Sequence, residues 1–210
     1  QEFKRGARKT DWTVPDISAF QQRTFNGYHR SNGKVGTMNY WLVIPLVFCE
    51  NRNIEIIKAS MLEQLGYTLE KDYSVDTARL LELYKKGVDN DVLLNQDIIK
   101  NTNQIKQNRV FQNVDGIKFL THEGGCGGTR QDSETLCRLF AGYINNPNVA
   151  GATILSLGCQ HAQSEILKNA IEEINPAFDK PLYFLEQQNS HSERAYIAEA
   201  VKKTFIGLIE

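Results

Sequence analysis

Four times along this chain a short apolar run is followed by an amphipathic helical stretch, and that alternation leaves few folds open. Residues 41–48, Trp-Leu-Val-Ile-Pro-Leu-Val-Phe, read as a first strand. The helix after it carries Ile54, Ile57, Met61, Leu62 and Leu65 at helical spacing, with Asn51 or Asn53 as its cap and Gly66 as its stop. The pattern resumes with strands at 116–121, 149–157 and 181–186, and with helices at 132–143, 162–174 and 192–208. Strand-helix units in series predict an α/β fold: a Rossmann-like parallel sheet with flanking helices. The continuously apolar first strand suits a position covered on both faces, whereas Pro45 inside it argues for an edge or irregular place.

Two stretches stand outside the alternation. Residues 1–40 read as a Gly-rich lead-in or linker, with Gly27, Gly33 and Gly36 close together. Residues 67–110 read as a mostly helical excursion, with one helix around Leu80, Leu81, Leu83 and Tyr84 and weaker helical signals from 91 to 106. The rest, 41–210, is expected to be a single α/β domain. The start at Gln1, without an initiator Met or an apolar leader, reads as a cut end.

Composition excludes several classes. With 24 Lys plus Arg against 25 Asp plus Glu, no basic field exists to hold a nucleic-acid backbone. The longest apolar run is about nine residues, far short of the roughly 20 needed to span a bilayer. The 4 cysteines show no tight pairing framework, and 210 residues with 41% apolar content can bury a core without staples. A reduced, cytoplasmic setting is expected, in which cysteines serve packing, catalysis or metal binding.

In an open α/β sheet the ligand crevice lies outside the carboxyl ends of the strands. The residues just after each expected strand are chemically rich. They are Cys49-Glu50-Asn51, then His122-Glu123-Gly124-Gly125-Cys126-Gly127-Gly128-Thr129-Arg130, then Gly158-Cys159-Gln160-His161, then Gln187-Gln188-Asn189-Ser190-His191. Three of the 4 cysteines and three of the 4 histidines fall in these loops. The glycine run matches neither the dinucleotide fingerprint nor the P-loop. Its backbone, Gly125, Gly127 and Gly128 above all, can approach a small anion at a helix N-terminus, with Thr129 and Arg130 adding hydrogen bonds and Gln160 and Gln187 facing the same ligand.

Each cysteine taken alone is equally well a small buried hydrophobe, and Cys137, mid-helix beside Leu136 and Leu139, is assigned to packing. Cys49, Cys126 and Cys159 share one expected edge. Together they can hold iron, as Fe²⁺ or an iron-sulfur cluster, with a site left open for substrate. His122 is the leading candidate for a base or a ligand, roles that exclude each other at one nitrogen, while Glu50 and Glu123 rank below it.

Further motifs carry a resemblance. Gly27-Tyr28-His29-Arg30-Ser31-Asn32-Gly33-Lys34-Val35-Gly36-Thr37 with Asn39-Tyr40-Trp41, the Thr121-His122-Glu123-Gly124-Gly125-Cys126-Gly127-Gly128-Thr129-Arg130 run, and Leu155-Ser156-Leu157-Gly158-Cys159-Gln160 resemble three signatures of the galactarate and altronate dehydratase family, nearest its altronate-acting branch. Asn32, Lys34 and Met38 depart from the charged residues frequent there, and Gln160 stands where other branches carry Glu.

The resemblance implies a hydro-lyase of hexuronate catabolism that turns D-altronate into 2-dehydro-3-deoxy-D-gluconate and water, with iron commonly required. Proton abstraction beside the carboxylate by a base such as His122 would precede loss of the neighbouring hydroxyl, with Arg130, Cys126, Cys159 and the glycine-loop amides around the intermediate. It also implies partner domains of the same enzyme before and after this one, with the chain as an excised middle piece, and leaves a homo-oligomer open. A non-catalytic subunit-contact domain and a thiol-based redox module are the rival readings.

Overall fold

The computed structural model describes residues 13–68, 73–101 and 108–210. In chain order these hold a 3-10 turn (Ser18–Phe20), the hairpin β1 (Tyr28–His29) and β2 (Val35–Gly36), β3 (Tyr40–Pro45), a second 3-10 turn (Phe48–Glu50), α1 (Asn51–Met61), β4 (Tyr73–Val75), α2 (Thr77–Lys85), α3 (Asn90–Leu94), β5 (Ile99–Asn101), β6 (Gly116–Phe119), α4 (Arg130–Asn145), β7 (Val149–Ser156), α5 (Ser164–Ile174), β8 (Leu182–Glu186), a third such turn (Gln187–Asn189) and α6 (Glu193–Ile209). The expected α/β architecture is present. One parallel sheet runs in the order β6-β3-β7-β8, with helices on both faces.

The two-residue period of β3 divides the core. Leu42 and Ile44 point to one face, where Cys137, Phe140 and Ile144 of α4 and Leu167 and Ile171 of α5 cover them. Trp41 and Val43 point to the other, against Ile54, Ile57 and Met61 of α1 and Tyr196, Ala200 and Leu208 of α6. A fully buried side chain of this size contributes about 1.5–3 kcal/mol, so the two faces together hold the sheet between its helices. The Trp41 indole donates to Thr153 Oγ1 at 3.1 Å, which satisfies its polar group inside that core.

Pro45 is not at an edge. It ends β3, an interior strand, two residues beyond the last pairing with β6, Val43 with Phe119. On that side β6 has already stopped, so no ladder bond is lost, and the Pro45 carbonyl instead meets His122 Nε2 at 2.7 Å. Neither asparagine caps α1: the chain enters it through the 3-10 turn, which puts Glu50 at the cap position and frees Asn51 and Asn53 for other partners. The end of α1 does run on in turns to Gly66, whose φ of +74° lets the Tyr67 amide return to the Leu62 carbonyl at 2.8 Å.

The excursion is mixed rather than mostly helical. α2, capped by the Asp76 side chain, and the short α3 are flanked by an antiparallel ribbon in which Tyr73, Ser74 and Val75 pair with Asn101, Lys100 and Ile99. Residues 99–101 carry no apolar helical stripe, and pairing across the ribbon satisfies their backbone instead. The remainder of the weak helical signal, 102–106, lies outside the described residues. The described part of the lead-in is fastened to the amino ends of the strands. Arg30 Nε donates to Pro147 O at 2.8 Å, the Thr37 amide to Asn148 Oδ1 at 2.7 Å, and Gly36 lies so close to Pro147 that a Cβ would stand 2.3 Å from its oxygen.

Candidate functional site

From β3 the chain winds towards β6, and from β7 towards β8, so the direction of winding reverses between β3 and β7. That reversal opens a crevice at the carboxyl ends of the strands. One glycine gathers the loops there. Gly125 has a φ of +94°, and a Cβ on it would lie 2.0 Å from the Leu46 carbonyl oxygen, so only glycine can press against the turn after β3. Its own carbonyl accepts the His161 and Ala162 amides at 3.0 and 3.1 Å, and Gly124 O accepts the Phe48 amide at 3.0 Å. The loops after β3, β6 and β7 are thereby pinned to one another through backbone alone.

His122 is held at both ring nitrogens. Nε2 lies 2.7 Å from Pro45 O and so donates, while Nδ1 accepts the Gly124 amide at 3.0 Å, an arrangement of the neutral ring. The ring packs on Phe140, 5.3 Å between centroids, and the backbone of His122 meets Asn51 through its carbonyl at 2.8 Å. In this arrangement the imidazole shapes the glycine loop from beneath.

The first turn of α4 carries its own carboxylate. Thr129 Oγ1 accepts the Asp132 amide at 3.2 Å, and Asp132 Oδ2 accepts both the Thr129 amide at 2.8 Å and its hydroxyl at 2.9 Å. This capping box, chiefly its backbone bond from Thr129, holds the Asp132 carboxyl below the usual range. Thr129, offered by the sequence as a ligand group, is thus engaged with the helix, whereas Arg130 stands exposed beside it. Gly124 to Gly128 and the Leu136 and Leu139 side chains line a shallow cavity of about 500 Å³.

Cys49, Cys126 and Cys159 are all exposed on three different turns, and Cys137 is buried in the core as expected. Burial pushes the Cys137 thiol up to about 11. Among the described residues no three His, Cys, Asp or Glu side chains come together in a set able to hold a metal ion.

Two amides fall in different places. Gln160 is turned inward, 1% exposed, and bonded within its own turn. Gln187 stays at the crevice, where its Oε1 accepts from Asn53 Nδ2 at 3.3 Å. Beside it lies a group that the sequence ranks low. Glu50, 0% exposed, accepts from Asn53 Nδ2 at 2.9 Å with Oε2 but leaves Oε1 without a partner, and Asn53 Oδ1 is likewise unpartnered. The Tyr196 hydroxyl lies near but donates to the Ser156 carbonyl at 3.2 Å. Burial raises the Glu50 pKa above its ordinary value; Asn53 and Tyr196 pull the other way, and Glu193 adds repulsion. A carboxyl following Cys49 in a polar turn gives no sign of burial in the sequence; its one signal is its place directly after a strand.

A larger cleft of about 690 Å³ lies at the opposite edge, near the amino ends of the strands, lined among others by Arg30, Asn39, Lys180 and Phe111. It contains none of the strand-end loops.

Residues 27–209 match the family described as D-galactarate dehydratase/altronate hydrolase, second domain. The chain belongs to this family. Among curated proteins it is similar to the altronate dehydratase of Bacillus subtilis (strain 168), 24% identical over 173 residues that cover 82% of this chain and 26% of that relative. The chain therefore spans about a quarter of the length of that relative. No solved structure matches it. The opening motif at 27–37 lies away from the glycine-pinned crevice, at the amino ends of the strands, where Arg30, Gly36 and Thr37 meet Pro147 and Asn148 before β7.

Proposed function

We propose that this domain forms one wall of the active site of a sugar-acid dehydratase acting on D-altronate, and that its contribution is the crevice at the carboxyl ends of β3, β6 and β7. The observation that supports this reading is the meeting, at Gly125, of the two later family signatures with the turn that carries Cys49 and Glu50. A sugar acid presents a carboxylate. The Arg130 guanidinium and the amides of Cys126, Gly127 and Gly128 are the groups suited to hold it and to take up the charge that builds as the neighbouring proton leaves.

In the proposed reaction the carbon-hydrogen bond beside the carboxylate breaks and its proton passes to a base. The electron pair forms the enediolate, the adjacent carbon-oxygen bond breaks as its hydroxyl takes a proton from an acid group and leaves as water, and the enol ketonises to the 2-keto-3-deoxy acid. We assign the acid-base work to Cys126 and Cys159, which share the exposed rim of the crevice with Cys49, Glu123 and His161; His122 supports the glycine loop that carries Cys126. Were the whole enzyme to hold iron, the exposed Cys49, Cys126 and Cys159 thiols are the soft donors this domain would offer, with further ligands needed to complete the set. Further domains of the same enzyme complete the site.

The test is turnover of the full-length protein with D-altronate, galactarate and a simple aldonate, scored by the appearance of a 2-keto-3-deoxy acid. Dehydration of D-altronate that falls about tenfold or more in Arg130→Ala is expected. A folded full-length protein that dehydrates none of the three overturns the reading.

A further inference from the structure

The Leu157-to-Gln163 turn after β7 is braced from inside by a side chain that no ligand can reach. Gln160 Oε1 accepts the Gly158 amide at 2.7 Å, its Nε2 donates to Ser156 Oγ at 2.6 Å and to Ala162 O at 3.3 Å, and its own carbonyl accepts from Gln163 Nε2. One carboxamide therefore ties the end of the strand, the residue before Cys159 and a residue after it. Gly158 takes a φ of +112° with Gln188 packed against it, so that a Cβ would stand 2.6 Å from Gln188 Oε1. On the far side the His161 and Ala162 amides are fixed to Gly125 O. The result is a turn held at both ends and through its middle, with Cys159, His161 and Gln163 exposed on it.

We propose that Gln160 is a positioning residue that fixes where the Cys159 thiol stands relative to the glycine loop and Cys126. A connecting turn with no task needs only soluble, mobile backbone. This one buries an amide whose donor and acceptor ends are both matched, which is the arrangement that gives a neighbouring group one place rather than several. The chemistry requires Gln rather than its acidic isostere. A carboxylate keeps the bond from the Gly158 amide and can take the Ser156 hydroxyl proton, but it sets an oxygen against the Ala162 carbonyl where Gln sets a donor. The inference concerns the crevice of the proposed dehydratase and rests on that reading only for its effect on turnover.

The experiment attaches a nitroxide to Cys159 in the full-length protein carrying Cys49→Ser and Cys126→Ser, and separately to Cys126 with Cys49→Ser and Cys159→Ser, and compares label mobility by electron paramagnetic resonance. With Gln160 present the Cys159 label is expected to be restricted. Gln160→Ala should shorten its correlation time severalfold and leave the Cys126 label unchanged, with Gln160→Glu in between. Should Gln160→Ala fail to fold, Ser156→Ala, which removes one of the three bonds, serves in its place. An unrestricted Cys159 label in the parent protein, an unchanged label in a folded Gln160→Ala, or equal loosening at both cysteines overturns the proposal. In the otherwise unmodified enzyme Gln160→Ala should lower kcat for D-altronate with KM kept. If no sugar acid is turned over at all, the dehydratase reading fails, while the label comparison still decides the role of Gln160.

Discussion

Asn53 Nδ2 donates to Glu50 Oε2 at 2.9 Å, and on each of these two buried side chains the other oxygen has no partner. Two unpaired acceptors in one buried place are costly, and a proton on Glu50 turns one of them into a donor. Burial, the largest influence, raises the folded pKa above the ordinary 4.5, so the folded chain binds this proton more tightly than the unfolded one. Its contribution is complete below 4.5 and is lost as pH rises through the raised folded value. Thermal melts of the parent should therefore weaken with rising pH across that window, and Glu50→Gln, neutral at every pH, should flatten that part of the profile. Parent and variant profiles of the same slope would show that folding leaves the Glu50 pKa unchanged.

Gly125 and Gly127 allow a graded comparison within one loop. Both have positive φ, +94° and +78°, but a Cβ at Gly125 meets the Leu46 backbone whereas nothing lies within 4 Å of one at Gly127. Gly127→Ala should cost about 1–2 kcal/mol, the price of left-handed backbone alone. Gly125→Ala should cost clearly more, because the pin between three loops must shift with it. Equal melting temperatures for the two variants would mean that Gly125 does not clamp the crevice.

The cysteines sort by burial. Under native conditions an alkylating reagent should modify Cys49, Cys126 and Cys159 and spare Cys137, whose thiol is buried and pushed up to about 11. Cys137→Ala should lower stability by about 1–2 kcal/mol and leave turnover per folded molecule unchanged. Peptide mass spectrometry after brief labelling checks the first statement and melts with turnover the second. Rapid native labelling of Cys137 would contradict its place in the core.

What the sequence made legible follows from periodicity. The interior strands β3 and β7 show as apolar runs because both their faces are buried, and the edge strands and helices show through their apolar positions against the core. The strand order is not legible, since nothing local records which neighbour a strand meets. Pro45 misleads for a related reason: its missing donor is costless only because β6 ends earlier, a fact of register rather than composition. The gathering of chemistry at strand ends is readable from the loop residues, yet the roles within it are not. His122 is tied by backbone atoms distant in sequence, Gln160 turns inward to its own turn, and Glu50 is covered by α6 through Tyr196, far along the chain.

Cys126 and Cys159 stand exposed on the two turns that Gly125 joins. Groups that serve one substrate lose function together, so in the full-length enzyme Cys126→Ser and Cys159→Ser should each lower turnover of D-altronate about tenfold or more, with the double variant little worse than either. Two cysteines present only for surface packing would behave otherwise: each Ser would leave turnover per folded molecule nearly intact, and any small stability costs would add. Because both thiols are exposed, replacement by Ser opens no cavity, which keeps the folding of the variants out of the comparison. Turnover at saturating substrate on both singles and the double, with melts to normalise for folded protein, separates these outcomes. Single variants that both turn over at the parent rate would remove the crevice thiols from the reaction and leave this domain as the wall that other parts of the enzyme work against.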